Sequence, residues 1–206
     1  MTNQDIDKLE RYYRANLINS VTGYKPANLI GTINDEGITN VAIFSSVVHL
    51  GSNPALIAFV QRPLIDTSHT YKNIKANGQY TINHVNTSMV ENAHYTSAKY
   101  GDGISEFDTC KLTAEYIPNF AAPFIAESVI KIGLQYVQEI PITINNTTLI
   151  IGEIKHLIIA PEYIKPDGSI NLEKANTVAI SGLDTYYTGN KLAQYPYAKV
   201  ENNPYQ

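Results

Sequence analysis

A chain of 206 residues can bury a sizeable core without staples, and its single Cys110 excludes an internal disulfide and any cysteine-rich metal or iron–sulfur site. A net charge of −4 with no run of Lys or Arg argues against nucleic acid as a main partner. No stretch approaches the roughly 18 apolar residues of a membrane span and no basic, apolar leader opens the chain, so no membrane association and a cytoplasmic location are expected.

Taken in order, Ile6, Leu9, Tyr13 and Leu17 recur at helical spacing with charged residues between them, which predicts one N-terminal helix capped by Thr2 or Asn3. A polar connector, residues 19–26, leads to a strand at 27–33 and a hairpin turn at Asn34-Asp35-Glu36-Gly37. A β-branched, aromatic run from Thr39 to Leu50 reads as one strand. The turn Gly51-Ser52-Asn53-Pro54 separates it from a second apolar run, 55–60. A short helix over 70–76 ends at Asn77-Gly78, and 79–85 returns as a strand. Ser88 and Glu91 have the spacing of a capping box for another helix, which residues 100–103 break, and 105–108 form a further turn. Pro118 and Pro123 are expected to bracket a loop. Alternation over 129–137 predicts a strand, and 149–160 a long one with Gly152 at a bulge or bend. Pro166-Asp167-Gly168 is a turn, and the aromatic stretch from Val178 to Tyr187 and on to Tyr197 reads as irregular. Six or seven strands joined mostly by hairpins and interrupted by helices point to a mainly β fold, an antiparallel barrel with helical decoration in a single domain.

Chemistry-bearing residues gather where the second apolar run ends: Arg62, then Asp66-Thr67-Ser68-His69-Thr70 at a helix start. Free N–H groups and the positive dipole end of a helix, beside hydroxyls and a guanidinium fork, suit a phosphate. An ordinary helix cap on a solvated loop is the other reading of the same residues. The five histidines lack the spacing of a metal site, so no metal is expected, and Cys110 has no visible His partner to make it a nucleophile.

Several signatures follow one another: Asn40-x-Ala42-x-Phe44-Ser45-Ser46, Asn53-Pro54-Ala55-Leu56, Arg62-Pro63, His69-Thr70-Tyr71-x-Asn73-Ile74, Tyr80-Thr81-Ile82-Asn83, Ser105-Glu106-Phe107 and Leu149-Ile150-Ile151-Gly152-Glu153. In that order the chain resembles the flavin reductase-like, FMN-binding split-barrel family over roughly residues 15 to 190. The resemblance implies a six-stranded antiparallel Greek-key barrel with peripheral helices that forms a homodimer and binds FMN near the subunit interface. It also implies phosphate contacts from Arg62, Ser68, His69 and Thr70, with Asn73 a further cofactor-binding residue. Asn40, Ala42, Ile43, Phe44, Ser45 and Ser46 would run along the ribityl chain and ring, with Asn83 and His84 nearby. One departure is Asp66-Thr67-Ser68 before His69, where relatives often carry a basic residue.

The implied activity is an FMN-dependent oxidoreductase that takes electrons from NADH or NADPH and passes them to a small-molecule acceptor; a dimeric FMN-holding electron carrier is the alternative. No G-x-G-x-x-G follows a strand, so a nicotinamide would have to meet the flavin directly. No catalytic acid or base stands out.

Overall fold

The computed structural model describes residues 1–66 and 68–205. Two short helices open the chain, α1 (Asn3–Asp7) and α2 (Arg11–Ser20), where the periodicity predicted one. The break has a local cause. The Glu10 carboxylate turns back to accept the N–H groups of Tyr12 and Tyr13 and so starts a new helix, while Thr2 and Asp5 form the capping box of the first. Neither helix buries a residue, so the apolar stripe does not build core.

The strands that follow are β1 (Lys25–Pro26), β2 (Asn28–Ile33), β3 (Thr39–Phe44), β4 (Val48–Ser52) and β5 (Ala55–Gln61). Helix α3 (His69–Asn77) and strand β6 (Gln79–His84) come next, then α4 (Val90–Tyr95) and α5 (Glu106–Thr109). The remainder is β: β7 (Ala114–Ile117), β8 (Phe120–Ile125), β9 (Ile130–Ile142), β10 (Thr147–Ile159), β11 (Val178–Ser181) and β12 (Thr185–Thr188).

Seven strands make the central sheet, in the order β3-β2-β6-β9-β10-β5-β4, antiparallel throughout. Its two edges, β3 and β4, are consecutive in the chain and joined only by Ser45-Ser46-Val47. The sheet therefore closes on itself, and the bent segment β3–β4 acts as the sixth strand of a barrel. Ser46 completes the closure: its hydroxyl donates to the Val60 carbonyl and accepts the Val60 N–H, both at 3.1 Å. The long strand expected from Thr39 to Leu50 is thus broken at the residues that carry the chain from one edge to the other.

Inside the barrel, Ile30, Phe59, Tyr80, Ile82, Leu134 and Ile150 form a fully buried core, and Ile74 of α3 closes one end. A Cβ on Gly152 would stand 2.1 Å from the Tyr80 hydroxyl, so only a glycine lets the ring cross there. The β10 register slips beside it, as a bulge should. A second core outside β2 and β3 is built by Leu29, Val41, Met89, Phe107, Val178 and Ile180.

Three further expectations are corrected. The segment around Pro118 and Pro123 is a β7–β8 hairpin, with Asn119 at φ 63 in its turn, because Phe120 and Phe124 bury their rings on the barrel wall. The Ser88–Glu91 capping box is absent: Ser88 bonds the Asn86 side chain, and Met89 stands at the cap of α4. The stretch from Val178 forms the β11–β12 hairpin, paired to β1 by its backbone, which periodicity in so short a run does not reveal. No helix is long and apolar enough to cross a membrane among the described residues.

Candidate functional site

The site follows from how β3 is held. In an antiparallel pair, N–H groups point alternately toward the partner and away from it. Val41 turns its N–H away from β2, since it donates to the Glu106 carboxylate at 3.2 Å. By the same alternation Ile43 aims its N–H at the open side of an edge strand, and Ser45 follows in the bend that leaves it, both half-buried. A free donor on a sheet edge is the feature most ready to take a partner.

A buried polar knot fixes the neighbouring helix. Thr32 accepts the Asn40 amide at 3.2 Å and the Asn73 amide at 3.1 Å, and Asn40 also donates to Thr70 at 3.0 Å. All four residues are nearly inaccessible. Asn40, Thr70 and Asn73 are therefore brought together, and their work is to seat the start of α3 against β2 and β3. Ser68 does not cap α3 with its side chain. Its hydroxyl accepts the Ile65 N–H, leaving first-turn N–H groups of the helix uncapped by it. His69 is mostly buried, and its Nε2 lies 2.8 Å from Asp102 Oδ1. Thr67 lies outside the described residues.

Arg62 follows β5, is exposed, and makes no ion pair among the described residues. It is close enough to Lys25 that, after burial, its guanidinium is the second cause lowering the Lys25 pKa. Lys25 is pinned by the carbonyls of Asn19 and Gly182. Two cations thus stand near each other on a chain that is acidic overall. Opposed to them, Glu106 is buried; burial raises its pKa, and its own backbone N–H, the Val41 N–H and the His69 charge act against that rise.

Ala42 and Phe44 face the barrel interior beside Ile30 and Asn28, and Phe44 meets Phe59 edge-on at 5.0 Å. Ser46 is engaged by Val60. His84 and Asn28 share one rung of β6 and β2, and Asn28 Nδ2 and His84 Nδ1 are both buried without a partner. Burial pushes the His84 imidazole down to about 4, so it is neutral under ordinary conditions. Asn83 stands apart. It turns outward, bonds Leu29, Thr81 and Ile125, and serves the contact with β8.

Sequence reasoning missed Thr32, Asn28, Lys25 and Asp102. None sits in a motif; only register and chain crossing bring them to the site. Tyr186 lies at an open depression of about 780 Å³ between α4 and β12, 3.2 Å from His94 Nδ1, and Tyr187 packs on Tyr24. Cys110 is buried against Tyr100, and its thiol pKa is raised, chiefly by burial. Among the described residues no three His, Cys, Asp or Glu converge as for a metal.

The sequence profile of the flavin reductase like domain matches residues 24–168, which span every strand of the barrel. The chain belongs to the flavin reductase-like family. Solved structures agree. It is 48% identical to a protein of Shewanella frigidimarina NCIMB 400 assigned as a flavin reductase with split barrel domain, at TM-score 0.92, over 96% of this chain and 98% of that one. Nitrilotriacetate monooxygenase component B from Bacillus cereus superposes with TM-score 0.84 at 20% identity, over 95% and 98% of the two chains. An FMN-binding protein from Thermus thermophilus superposes with TM-score 0.72 at 11% identity, over 86% and 93%. The last two share the fold. The split-barrel fold expected from the motifs is thus the fold observed, and membership of the family makes the chain flavin reductase-like.

Proposed function

We propose that this flavin reductase-like protein is an FMN-dependent oxidoreductase that takes electrons from NADH or NADPH and passes them to a small-molecule acceptor. The observation that carries this reading is the open edge of β3, where Ile43 turns its N–H away from β2 and Ser45 follows in the bend beyond it. From Asn40 to Ser45 the strand covers about 16 Å, a length that separates an anionic tail from a planar ring. The residues present fit such a group. Arg62, His69 and the start of α3 would hold the phosphate; Ile43 and Ser45 would donate to the ring edge, where donors stabilise the reduced form. When bound, FMN supplies the redox chemistry, and the chain supplies binding, orientation and limited access of water.

Support also comes from the related structures, one of which is an FMN-binding protein by name. Anaerobic mixing of the flavin-loaded protein with NADH or NADPH tests the reading: rapid loss of the yellow flavin band is expected. Persistence of colour with both nucleotides would leave only an electron carrier.

The same proposal includes a homodimer. Val48 and Leu50 on edge strand β4, and Tyr12 and Tyr13 on α2, are exposed apolar surface of the kind a second copy would cover. Light scattering should give twice the 22.8 kDa chain mass; a monomer at micromolar concentration rejects this part.

A further inference from the structure

Asp102 lies in the turn between α4 and α5, flanked by Gly101 and by Gly103 at φ 79. Its side chain is 88% exposed, yet one oxygen reaches the mostly buried His69 ring at 2.8 Å. A carboxylate oxygen at that distance from Nε2 marks a place where an anionic oxygen is well received. His69 is also the first residue of α3, whose N–H groups favour an anion.

Glu106 shares this surrounding. It is only 5% exposed, tied to the Val41 N–H, and its charge bears on His69. A phosphate dianion arriving at His69 with Asp102 still in place would face that carboxylate at short range. Glu106 is anchored in the core and stays. Asp102 is held by one exposed pair, which is weak, and its neighbours are glycines, so it is the group that can leave at little cost.

We infer that Asp102 competes with the flavin phosphate for His69 Nε2 and thereby sets how strongly the site prefers a phosphate-bearing flavin over one without a phosphate. This rests on the reading that His69 belongs to the phosphate end of the site, and it adds a residue that no motif marks. Asp102 is a specificity-determining residue whose effect is exerted through His69.

Fluorescence titration of flavin-free protein with FMN and with riboflavin tests it in the natural chain and in Asp102→Asn. The variant should bind FMN about three- to tenfold more tightly, as expected for one like charge removed at a partly screened site, with riboflavin affinity unchanged. With FMN held well below its Kd, inorganic phosphate should displace it at correspondingly lower concentration. Weaker FMN binding in the variant would show that Asp102 positions His69 for the phosphate, and overturns the inference. An equal change for both flavins overturns it as well. Asp102→Ala gives a second variant at an exposed position, so a folding defect cannot decide the result. If neither flavin binds the natural chain, the flavin reading itself falls and this inference with it.

Discussion

Thr32→Val asks whether the polar knot beneath α3 is as exclusive as it is drawn. The substitution keeps the shape and removes one oxygen at a residue with no exposed surface. Asn73 Nδ2 then loses its bond of 3.1 Å and is left buried and unpaired, which costs about 1–3 kcal/mol. Asn40 Nδ2 loses one bond but keeps Thr70 at 3.0 Å, so its share is about 0.5–1 kcal/mol. The sum is roughly 1.5–4 kcal/mol, a fall in Tm of about 3–16 °C for a chain of this size. Urea unfolding followed by circular dichroism measures it, and a double-mutant cycle with Asn73→Leu sharpens it. In the Asn73→Leu background no amide is stranded, so the Thr32→Val cost should shrink to about 1 kcal/mol. A cost below about 0.5 kcal/mol, or strict additivity in the cycle, would refute the knot as the device that seats the helix.

Other expectations follow from the same geometry. Gly152→Ala should destabilise by about 1–3 kcal/mol through its clash with the Tyr80 hydroxyl, and Tyr80→Phe should relieve much of that, since it also removes a buried hydroxyl with no partner; equal costs in both backgrounds by urea melts would count against the clash. His84 predicts a pH dependence. At pH values above 6.5 both folded and unfolded chains hold it neutral, whereas between 6.5 and about 4 only the unfolded chain takes up the proton. Stability should therefore fall as the medium is acidified, by about 3 kcal/mol at pH 4, and His84→Gln should remove that part of the slope in denaturant titrations at several pH values. Arg62→Ala should leave Tm unchanged, because the side chain is exposed and unpaired, and should weaken FMN roughly 10- to 100-fold in equilibrium titration; unchanged affinity would remove Arg62 from the site.

How much was legible depends on whether a signal was local. Alternation marked β9, glycine and asparagine marked the 34–37 turn, and Asn77-Gly78 marked the end of α3, where Gly78 takes φ 70. Each rests on the conformational preference of a few adjacent residues. The β7–β8 and β11–β12 hairpins were missed because their strands are short and their faces are set by what they pack on. Motif order carried the family and the choice of β3 and the start of α3 as the site, without saying which atoms would be free there.

By itself, then, the chain determined its family, its β-rich character and the stretch from Asn40 to Asn73 as the place to look, because periodicity, turn chemistry and motif spacing are properties of neighbours in sequence. Only the tertiary structure decided that Ser45-Ser46-Val47 carries one strand from edge to edge and closes the barrel. It alone decided that Asn40 and Asn73 both donate their amides to Thr32, that Asn40 also donates to Thr70, and that Asp102 comes to rest on His69. The physical reason is that a buried hydrogen bond joins whichever groups the fold brings within about 3 Å, here 33 positions apart for Asp102 and His69, and no local preference encodes that meeting.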